Sequence, residues 1–375
     1  MNILIAPNAF KQSINAEQAA DAMKEGFEQS SLHCECECFP VGDGGDGTGG
    51  LIIKKLNGES VEVEVQDPLG RIINTSFGII NNGKTAVIEM ASSSGMRLLK
   101  REELNPLIAT SYGTGEIIKM ALDRGVNQII LAMGGSATVD GGCGILQALG
   151  FRFLNPAREA VKVPENLVEL QTIDVTGVDE RIFHCELIVL CDVANNLIGE
   201  QGAAATFGPQ KGASGKDVQQ LDAALNRLAQ VILGQSGKDI SAVKYGGTAG
   251  GAAAGLYGML NAHLVNGIDY FLQLTHFDAS LEKADVVITG EGTIDEQTLC
   301  GKGPFGVAVK AKDKGIPVIA VAGSVPLYSS GEMQEYFTAL FSITNAAIDL
   351  PSALSTTTQN LRRTARQIGN LLSVR

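Results

Sequence analysis

The chain has 375 residues, which is more than one hydrophobic core usually holds, so we expect two domains. Its formal net charge of −12 at pH 7 argues against nucleic acid or an anionic membrane as a partner, and an anionic ligand would need specific lysines or arginines. Glycine contributes 45 residues, nearly double the usual share, and aromatic residues only 5%, which favours an α/β enzyme with many tight turns.

The cysteines and the apolar runs indicate a cytoplasmic protein. Seven cysteines, an odd number scattered along a large chain, do not form a disulfide framework. Cys34, Cys36 and Cys38 alternate with glutamates, which predicts one buried face of a strand more readily than a metal site. The first residues lack the features of a signal peptide, and no run approaches the ~20 apolar residues of a membrane span.

The N-terminal segment reads as a strand, a loop and a helix. The apolar run 3–6 predicts a buried strand. Asn15 followed by Gln18 predicts a capped helix start, and the apolar residues after it recur at helical spacing. Lys11 therefore lies in a strand-to-helix loop, as a ligand-binding cation or as a solvated surface lysine.

The next loop, 42–50, interleaves glycines with Asp43 and Asp46. Gly45, Gly47 and Gly50 match a dinucleotide fingerprint, yet the two aspartates would repel a pyrophosphate. We expect these aspartates to bind Mg²⁺ or substrate hydroxyls, or else to cap the following helix.

An antiparallel meander follows between residues 61 and 90, where valines and glutamates alternate and turn residues separate the runs. Residues 78–85 match the P-loop pattern, but the match leads into a predicted strand and not into a helix. We therefore reject a P-loop here.

Two further strands deliver polar loops. The apolar run 129–133 precedes a loop with Gly135, Ser136, Thr138 and Asp140, whose exposed amides and hydroxyls at a helix start would suit an anion or form a packed turn. The run 187–190 leads to Asp192 and Asn195, and Lys211 follows in a loop rich in proline and glycine; the site residues of this part are Gly135, Ser136, Thr138, Asp140, Asp192, Asn195 and Lys211.

The stretch 284–306 combines a buried strand with a glycine-rich loop. Gly290 and Gly292 would allow positive φ or a close approach of the backbone to a ligand, and Glu291, Asp295 and Lys302 supply two carboxylates and a cation. Because ligands bind at the carboxyl ends of parallel strands, this composition suits a phosphate with its metal. An ordinary strand-to-helix turn is the alternative.

The pattern of elements predicts two α/β domains. Residues 1–60 and 265–375 would form a discontinuous domain with a doubly wound parallel sheet of Rossmann or flavodoxin-like character, and residues 61–264 an inserted domain with a mixed sheet that includes the meander.

Taken together, these loops resemble the bacterial type I glycerate kinase family nearly from end to end. The segments that carry the resemblance are 6–11 (APNAFK), 43–48 (DGGDGT), 134–144 (GGSATVDGGCG), 191–193 (CDV), 207–213 (FGPQKGA) and 289–303 (TGEGTIDEQTLCGKG). The chain departs from the common family pattern at Asn8, where an acidic residue is usual, and at Asp46, where glutamate is usual.

The resemblance implies a kinase that uses ATP and Mg²⁺ to phosphorylate D-glycerate, usually to 2-phosphoglycerate, and that has two α/β domains with a cleft between them. Within it, Asp192 is the candidate base, and Lys11 and Lys211 would neutralise phosphate or the substrate carboxylate. Loop 135–140 would bind one anionic ligand, with Asp43, Asp46 and Asn195 as further binding residues. Glu291, Asp295 and Lys302, together with Gly290 and Gly292, would handle metal and phosphate.

Two other classes of function stay open at this point. An NAD-dependent hydroxy-acid dehydrogenase would use the glycine fingerprint, and a non-catalytic regulator would only sense a small acid. Neither has support from a ribose-binding acidic residue or from a DNA-binding module. The sequence leaves open which hydroxyl is phosphorylated, which domain holds ATP, and whether the protein is a homo-oligomer.

Overall fold

The computed structural model describes residues 1–296, 298–328 and 330–374, without the side chain of Cys300. The strands are β1 (Asn2–Ile5), β2 (Glu35–Cys38), β3 (Glu59–Gln66), β4 (Ile72–Ile80), β5 (Thr85–Glu89), β6 (Gln128–Ala132), β7 (Arg152–Leu154), β8 (Thr172–Asp174), β9 (Glu186–Cys191), β10 (His263–Asn266), β11 (Val286–Thr293), β12 (Val318–Ser324) and β13 (Ala339–Ser342). The α-helices are α1 (Ala16–Glu28), α2 (Thr48–Lys55), α3 (Ala91–Ser94), α4 (Tyr112–Asp123), α5 (Cys143–Ala148), α6 (Ala203–Phe207), α7 (Gly215–Ser236), α8 (Ala252–Leu260), α9 (Gly267–Leu274), α10 (Phe277–Leu281), α11 (Gly303–Asp313), α12 (Gly331–Tyr336), α13 (Leu350–Ser355) and α14 (Thr357–Leu372).

The chain forms two compact units: unit 1 is Met1–Asp43 with Ile268–Arg375, and unit 2 is Gly44–Gly267. The first boundary therefore lies earlier than residue 60, where the sequence analysis placed it. The reason is α2, which packs on β4, β5 and β6 of unit 2. Gly78 of β4 has no side chain, and Ile53 of α2 fills that space.

Unit 1 is built on a parallel sheet with the strand order β13-β12-β11-β1-β2. Ile3 and Ile5 of β1 pack on the same side as Phe27 of α1 and Leu361 of α14, while Leu4 points to the opposite face and is buried there. Helix α11 packs on β11 and β12. Strands that are buried on both faces explain the continuous apolar runs in the sequence.

Unit 2 is built on a mixed sheet with the strand order β10-β9-β6-β5-β4-β3. Strands β5, β6, β9 and β10 are parallel, whereas β3, β4 and β5 pair antiparallel as the predicted meander. A parallel sheet in one unit and antiparallel pairs in the other confirm the predicted fold class. Thr85 lies in β5, and so the P-loop pattern leads into a strand, as expected.

One prediction about the stretch 284–306 is wrong. Gly290 and Gly292 belong to β11 and have no positive φ, because the strand continues past its apolar run to Thr293. At Gly290 an added Cβ would lie 2.0 Å from the carbonyl oxygen of Val321, so packing on the neighbouring strand requires glycine there. The close approach of this backbone to a ligand stays a prediction.

The cysteine strand lies at the edge of the unit 1 sheet, as β2. Cys34, Cys36 and Cys38 are half-buried and pack against the core, while Glu35 and Glu37 point away from it. No helix among the described residues combines the length and the apolarity that crossing a bilayer requires.

Candidate active site

The carboxyl ends of β1, β2 and β11 share one edge of the unit 1 sheet, because these strands are parallel neighbours. The loop after β1 carries Lys11, and the loop after β2 leads to Asp43. The two loops are joined by a hydrogen bond from the amide of Val41 to the carbonyl oxygen of Pro7, 2.9 Å long. The last residues of β11 bring Glu291 to the same edge.

Asn8 holds this edge together. Its Nδ2 donates to Asp43 Oδ2 at 2.8 Å, and its amide donates to the carbonyl oxygen of Gly290 at 2.8 Å. Gly303 at the start of α11 is required on the other side, since a Cβ there would lie 2.9 Å from Asn8 Nδ2. The amide side chain, and not a carboxylate, is the group that can donate to Asp43.

Glu291 is buried, and both positively and negatively charged side chains lie near it. Thr298 Oγ1 donates to its Oε1 at 3.1 Å. Burial raises the pKa of Glu291 from 4.5 to about 7; Lys302 opposes that rise, Asp43 adds to it, and the Thr298 hydroxyl and Lys11 oppose it. Four charged side chains of unit 1 therefore lie near enough to interact at this edge.

Asp295 and Gly292 complete this part of the chain. Asp295 is half-buried, and its amide hydrogen bonds to Thr298 Oγ1 at 3.1 Å. Gly292 follows Glu291 in the strand, and the nearest atom to a Cβ added there is the amide nitrogen of Lys11 at 3.7 Å. Gln297 lies outside the described residues.

In unit 2 the carboxyl ends of β5, β6 and β9 form a second polar edge. Glu89 ends β5, the loop with Ser136 and Thr138 follows β6, and Asp192 directly follows β9. Glycines make the close packing of these loops possible: a Cβ at Gly134 would lie 2.3 Å from the Cα of Gly45.

A buried lysine lies in this edge. Lys211 is 3% exposed, and its Nζ donates to Ser136 Oγ at 2.9 Å and to the carbonyl oxygen of Thr138 at 2.7 Å. Burial lowers the pKa of Lys211 from 10.5 to about 7, although Asp140 and Asp192 act in the opposite direction. A hydroxyl that accepts from Lys211 keeps its own proton for another acceptor, and so Ser136 can donate to an anionic ligand.

Asp140 has a structural place in this loop. It is fully buried, and its Oδ2 accepts from the amide and the hydroxyl of Ser111 at 2.9 and 2.7 Å and from the amide of Gly144 at 3.1 Å. Its Oδ1 accepts from the amide of Gly142 at 3.1 Å. These bonds satisfy backbone amides at the start of α5. The binding role predicted for Asp140 therefore stays a proposal, and the geometry does not favour it.

Thr138 is different, because its hydroxyl is buried without a hydrogen-bond partner among the described residues. A buried polar group of this kind is costly unless something satisfies it. Asn195 is half-buried, and its Nδ2 donates to the carbonyl oxygen of Gln201 at 2.8 Å. Asp192 is also half-buried, and it interacts electrostatically with Lys211 and Cys191.

The glycine fingerprint of loop 42–50 has a protein partner. The amides of Gly47 and Gly50, at the start of α2, donate to Glu89 Oε2 and Oε1 at 3.3 and 2.9 Å. Burial raises the pKa of Glu89, and the amide of Gly50 opposes that rise. Because a carboxylate already occupies these amides, they are not available to a pyrophosphate, and the dehydrogenase interpretation loses its binding site.

Glu89 and Arg97 are site residues that the sequence analysis missed. Arg97 Nη1 donates to both oxygens of Asp46, at 3.0 and 3.2 Å. Gly135 has φ +75°, and a Cβ there would lie 3.4 Å from the Cβ of Asp46. The sequence placed Glu89 at the end of a strand of the predicted antiparallel meander, and only the parallel pairing of β5 with β6 in the structure brings it to this edge.

The predicted residues therefore fall into two groups, each gathered within its own unit. Unit 1 contains Lys11, Asp43, Gly290, Glu291, Gly292, Asp295 and Lys302, and unit 2 contains Asp46, Gly135, Ser136, Thr138, Asp140, Asp192, Asn195 and Lys211.

The carboxylates of unit 1 suit Mg²⁺ by their chemistry. Asp43 and Glu291 are hard oxygen donors. Burial raises the pKa of Glu291, the negative charge of Asp43 adds to that rise, and a divalent cation would relieve the repulsion between the two carboxylates. Among the described residues no group of three or more His, Cys, Asp or Glu could hold a metal by itself.

Known proteins are similar to this chain along nearly its whole length. The model of the glycerate kinase family matches residues 3–373. The glycerate kinase of Halalkalibacterium halodurans is 43% identical over 367 residues, 98% of this chain and 97% of that protein. The glycerate 2-kinase of Escherichia coli is 39% identical over 375 residues, 100% and 98% of the two chains. A crystal structure assigned as glycerate kinase 2 from Salmonella typhimurium is 41% identical with a TM-score of 0.82, covering 100% of this chain and 98% of that one. The chain belongs to the glycerate kinase family.

Proposed function

We propose that the protein transfers a phosphoryl group from ATP to D-glycerate and forms 2-phosphoglycerate. Membership of the family supports a kinase acting on glycerate, and the similarity to a glycerate 2-kinase over the full chain supports the position of transfer. The proposal includes a cytoplasmic enzyme with small-molecule substrates. The dehydrogenase and the non-catalytic regulator have no support from any of these relatives.

The observation that carries the proposal is the combination of Lys211, Ser136 and Asp192 at one edge of the unit 2 sheet. Lys211 supplies a buried cation, Ser136 a hydroxyl with a proton to donate, and Asp192 a carboxylate near that cation. A hydroxy acid needs all three kinds of group: a positive charge, a hydrogen-bond donor for its anionic end, and a base for its hydroxyl. Unit 2 is therefore the proposed glycerate unit.

Asp192 is the proposed base. It would accept the proton of the attacking hydroxyl as the bond from oxygen to phosphorus forms. Burial lowers the pKa of Lys211 to about 7, and an anionic ligand near Ser136 would favour its protonated form. The buried position would keep the attraction between the two charges from being screened by water.

Unit 1 is the proposed unit for the nucleotide phosphates. Lys11 and Lys302 would neutralise phosphate oxygens, and Glu291 and Asp295, with Asp43 beside them, would hold Mg²⁺. The ion would supply positive charge against the phosphate oxygens. Gly290 and Gly292 of β11 have no side chains, and they would let the backbone approach the phosphates closely.

The test is a coupled assay of ADP release with ATP, Mg²⁺ and either D-glycerate, L-glycerate or buffer alone. We expect ADP release that depends on D-glycerate, and a phosphorus NMR spectrum that shows the phosphoryl group on the 2-hydroxyl. A product phosphorylated at the 3-hydroxyl would contradict the position of transfer, and ADP release that is equal in buffer alone would contradict the kinase.

The role of Asp192 has its own test. Asp192→Asn should lower kcat by roughly 10²–10⁴-fold, the contribution of a general base, with an unchanged melting temperature. Asp123→Asn, which removes an exposed carboxylate paired with Arg181 in the same unit, is the matched control and should keep full activity. Turnover of Asp192→Asn near that of the control would rule out the base.

A further inference from the structure

Arg97 lies beside the loop that carries Ser136. It belongs to the 3₁₀ turn Met96–Leu98, which directly follows Gly95, and Gly95 pairs with Ser136 as an antiparallel bridge. The amide of Met96 donates to the carbonyl oxygen of Gly135 at 2.9 Å. Backbone hydrogen bonds on both sides therefore fix the start of this turn against the proposed glycerate loop.

The guanidinium group of Arg97 is anchored at one end. Its Nη1 donates to both oxygens of Asp46, and no other hydrogen bond from Arg97 occurs within residues 1–296, 298–328 and 330–374. Its side chain is 54% exposed, so that Nε and Nη2 keep their capacity to donate. A planar fork that is oriented by one carboxylate and has donors left over is suited to bind a second carboxylate in two-point fashion.

Lys211, the other cation of this edge, cannot bind a carboxylate through two exposed donors. Lys211 is 3% exposed and already gives two of its three protons to Ser136 and Thr138. Asp46, Glu89 and Asp192 also lie at this edge, and their negative charges would repel an acid. Lys211 supplies one positive charge from within the loop, and the exposed arginine next to Ser136 adds a second one that can contact the acid directly.

Resting on the proposed function, we infer that Arg97 recognises the carboxylate of the hydroxy-acid substrate and thereby selects acids over uncharged polyols. Asp46 is the positioning residue for Arg97, and Glu89 fixes the loop of Asp46 through the amides of Gly47 and Gly50. Arg97 does not take part in proton transfer or in binding of the nucleotide.

The experiment measures KM and kcat of the full-length enzyme and its variants for D-glycerate, for glycerol as the analogue without a carboxylate, and for ATP. Arg97→Gln should raise the KM for D-glycerate by roughly 10- to 100-fold, because a charge-assisted bidentate contact is lost. The KM for ATP should not change, and any turnover of glycerol, which has no carboxylate, should be affected less than that of D-glycerate. Arg97→Lys keeps the charge without the fork and should fall between the wild type and Arg97→Gln.

Two further variants make the result decisive. Arg181→Gln removes an arginine of similar exposure that also pairs with aspartates, in the turn that precedes β9 at the opposite edge of the sheet, and should behave as the wild type. Asp46→Asn leaves Arg97 in place but unanchored, and should raise the KM for D-glycerate less than Arg97→Gln does.

A KM for D-glycerate that stays within about threefold of the wild type in Arg97→Gln, less than one hydrogen bond to a charged group contributes, would overturn the inference. So would parallel increases in the KM values for D-glycerate and ATP, or a loss of kcat alone. Absence of ADP release by the wild type with D-glycerate would instead refute the proposed function, and the two failures are thus distinguishable.

Discussion

Replacing Lys211 by methionine tests whether this lysine loses its proton inside the folded protein. The pKa of Lys211 is lowered by burial to about 7, whereas the unfolded chain has the ordinary value of 10.5. Between these two pH values the unfolded chain binds a proton that the folded protein does not, so the stability of the wild type rises with pH. Methionine has a similar length and no charge, and the variant should lack this rise.

The size of the effect follows from the shift. The difference is 10.5 − 7 = 3.5 pKa units, or about 5 kcal/mol over the whole window at 1.36 kcal/mol per unit. Since the group is half-titrated at pH 7, the interval from pH 7 to pH 9 contains about 2 kcal/mol of it. For a unit of this size, that is about 4–8 °C in melting temperature.

The assay is differential scanning calorimetry of the wild type and Lys211→Met at pH 6, 7, 8 and 9. The melting temperature of the wild type should rise relative to that of the variant as the pH increases, with the steepest change above pH 7. Lys216→Met, which replaces an exposed lysine of α7, controls for the loss of one positive charge. A difference between wild type and Lys211→Met that does not vary with pH would refute the reasoning, because it would mean that Lys211 stays charged when folded.

Three further outcomes are expected from single substitutions. Glu291→Gln should raise the Mg²⁺ concentration for half-maximal activity by about tenfold or more. The same Mg²⁺ titration of Asp295→Ala tests the second carboxylate separately. For either variant, an unchanged Mg²⁺ concentration for half-maximal activity would exclude that residue from the metal site. Thr138→Val removes a buried hydroxyl without a described partner, so its urea midpoint should equal or exceed that of the wild type; a loss above about 1 kcal/mol would reveal a hydrogen bond. Gly290→Ala should cost roughly 1–3 kcal/mol or more, because its Cβ would meet Val321, whereas Gly292→Ala should melt like the wild type, and equal melting temperatures would contradict the packing argument.

The elements of the fold were predictable where the signal is local. Asn15 and Gln18 form the predicted capping box at the start of α1, and the apolar runs near Ile3 and Val286 became neighbouring parallel strands. Such signals depend on residues a few positions apart, and so they survive any arrangement of the rest of the chain. The rule that polar loops follow parallel strands likewise indicated the residues of both edges.

The contacts that decide the role of each side chain could not be predicted in this way. Asp140 was expected to bind an anion, yet its carboxylate accepts from Ser111, a residue in a loop that precedes another helix. The pair of Asp46 and Arg97 joins loops that follow different strands. No periodicity in the sequence indicates such pairs, because they can be recognised only when the order of the strands in the sheet is known.

The unit boundary was missed for a related reason. The glycine-rich loop near Asp43 resembles the other strand-to-helix loops of unit 1, and the antiparallel meander that marks a change of architecture begins only at Glu59. Helix α2 precedes that change in the sequence but packs on the sheet of unit 2, since Gly49 and Gly78 leave room for Glu89 and Ile53.

The discontinuity of unit 1 sets an order of events during synthesis on the ribosome. Strand β1 lies between β2 and β11, and α1 rests on α14, where Gly26 allows contact with the carbonyl oxygen of Arg362. All of unit 2 is translated before β11 and α14 exist, so it can complete its core while the N-terminal segment still lacks those partners. The nascent chain therefore carries an unfinished apolar segment, including Ile3 and Phe27, until β11 and α14 have been translated, which is the period when a chaperone would have most to bind.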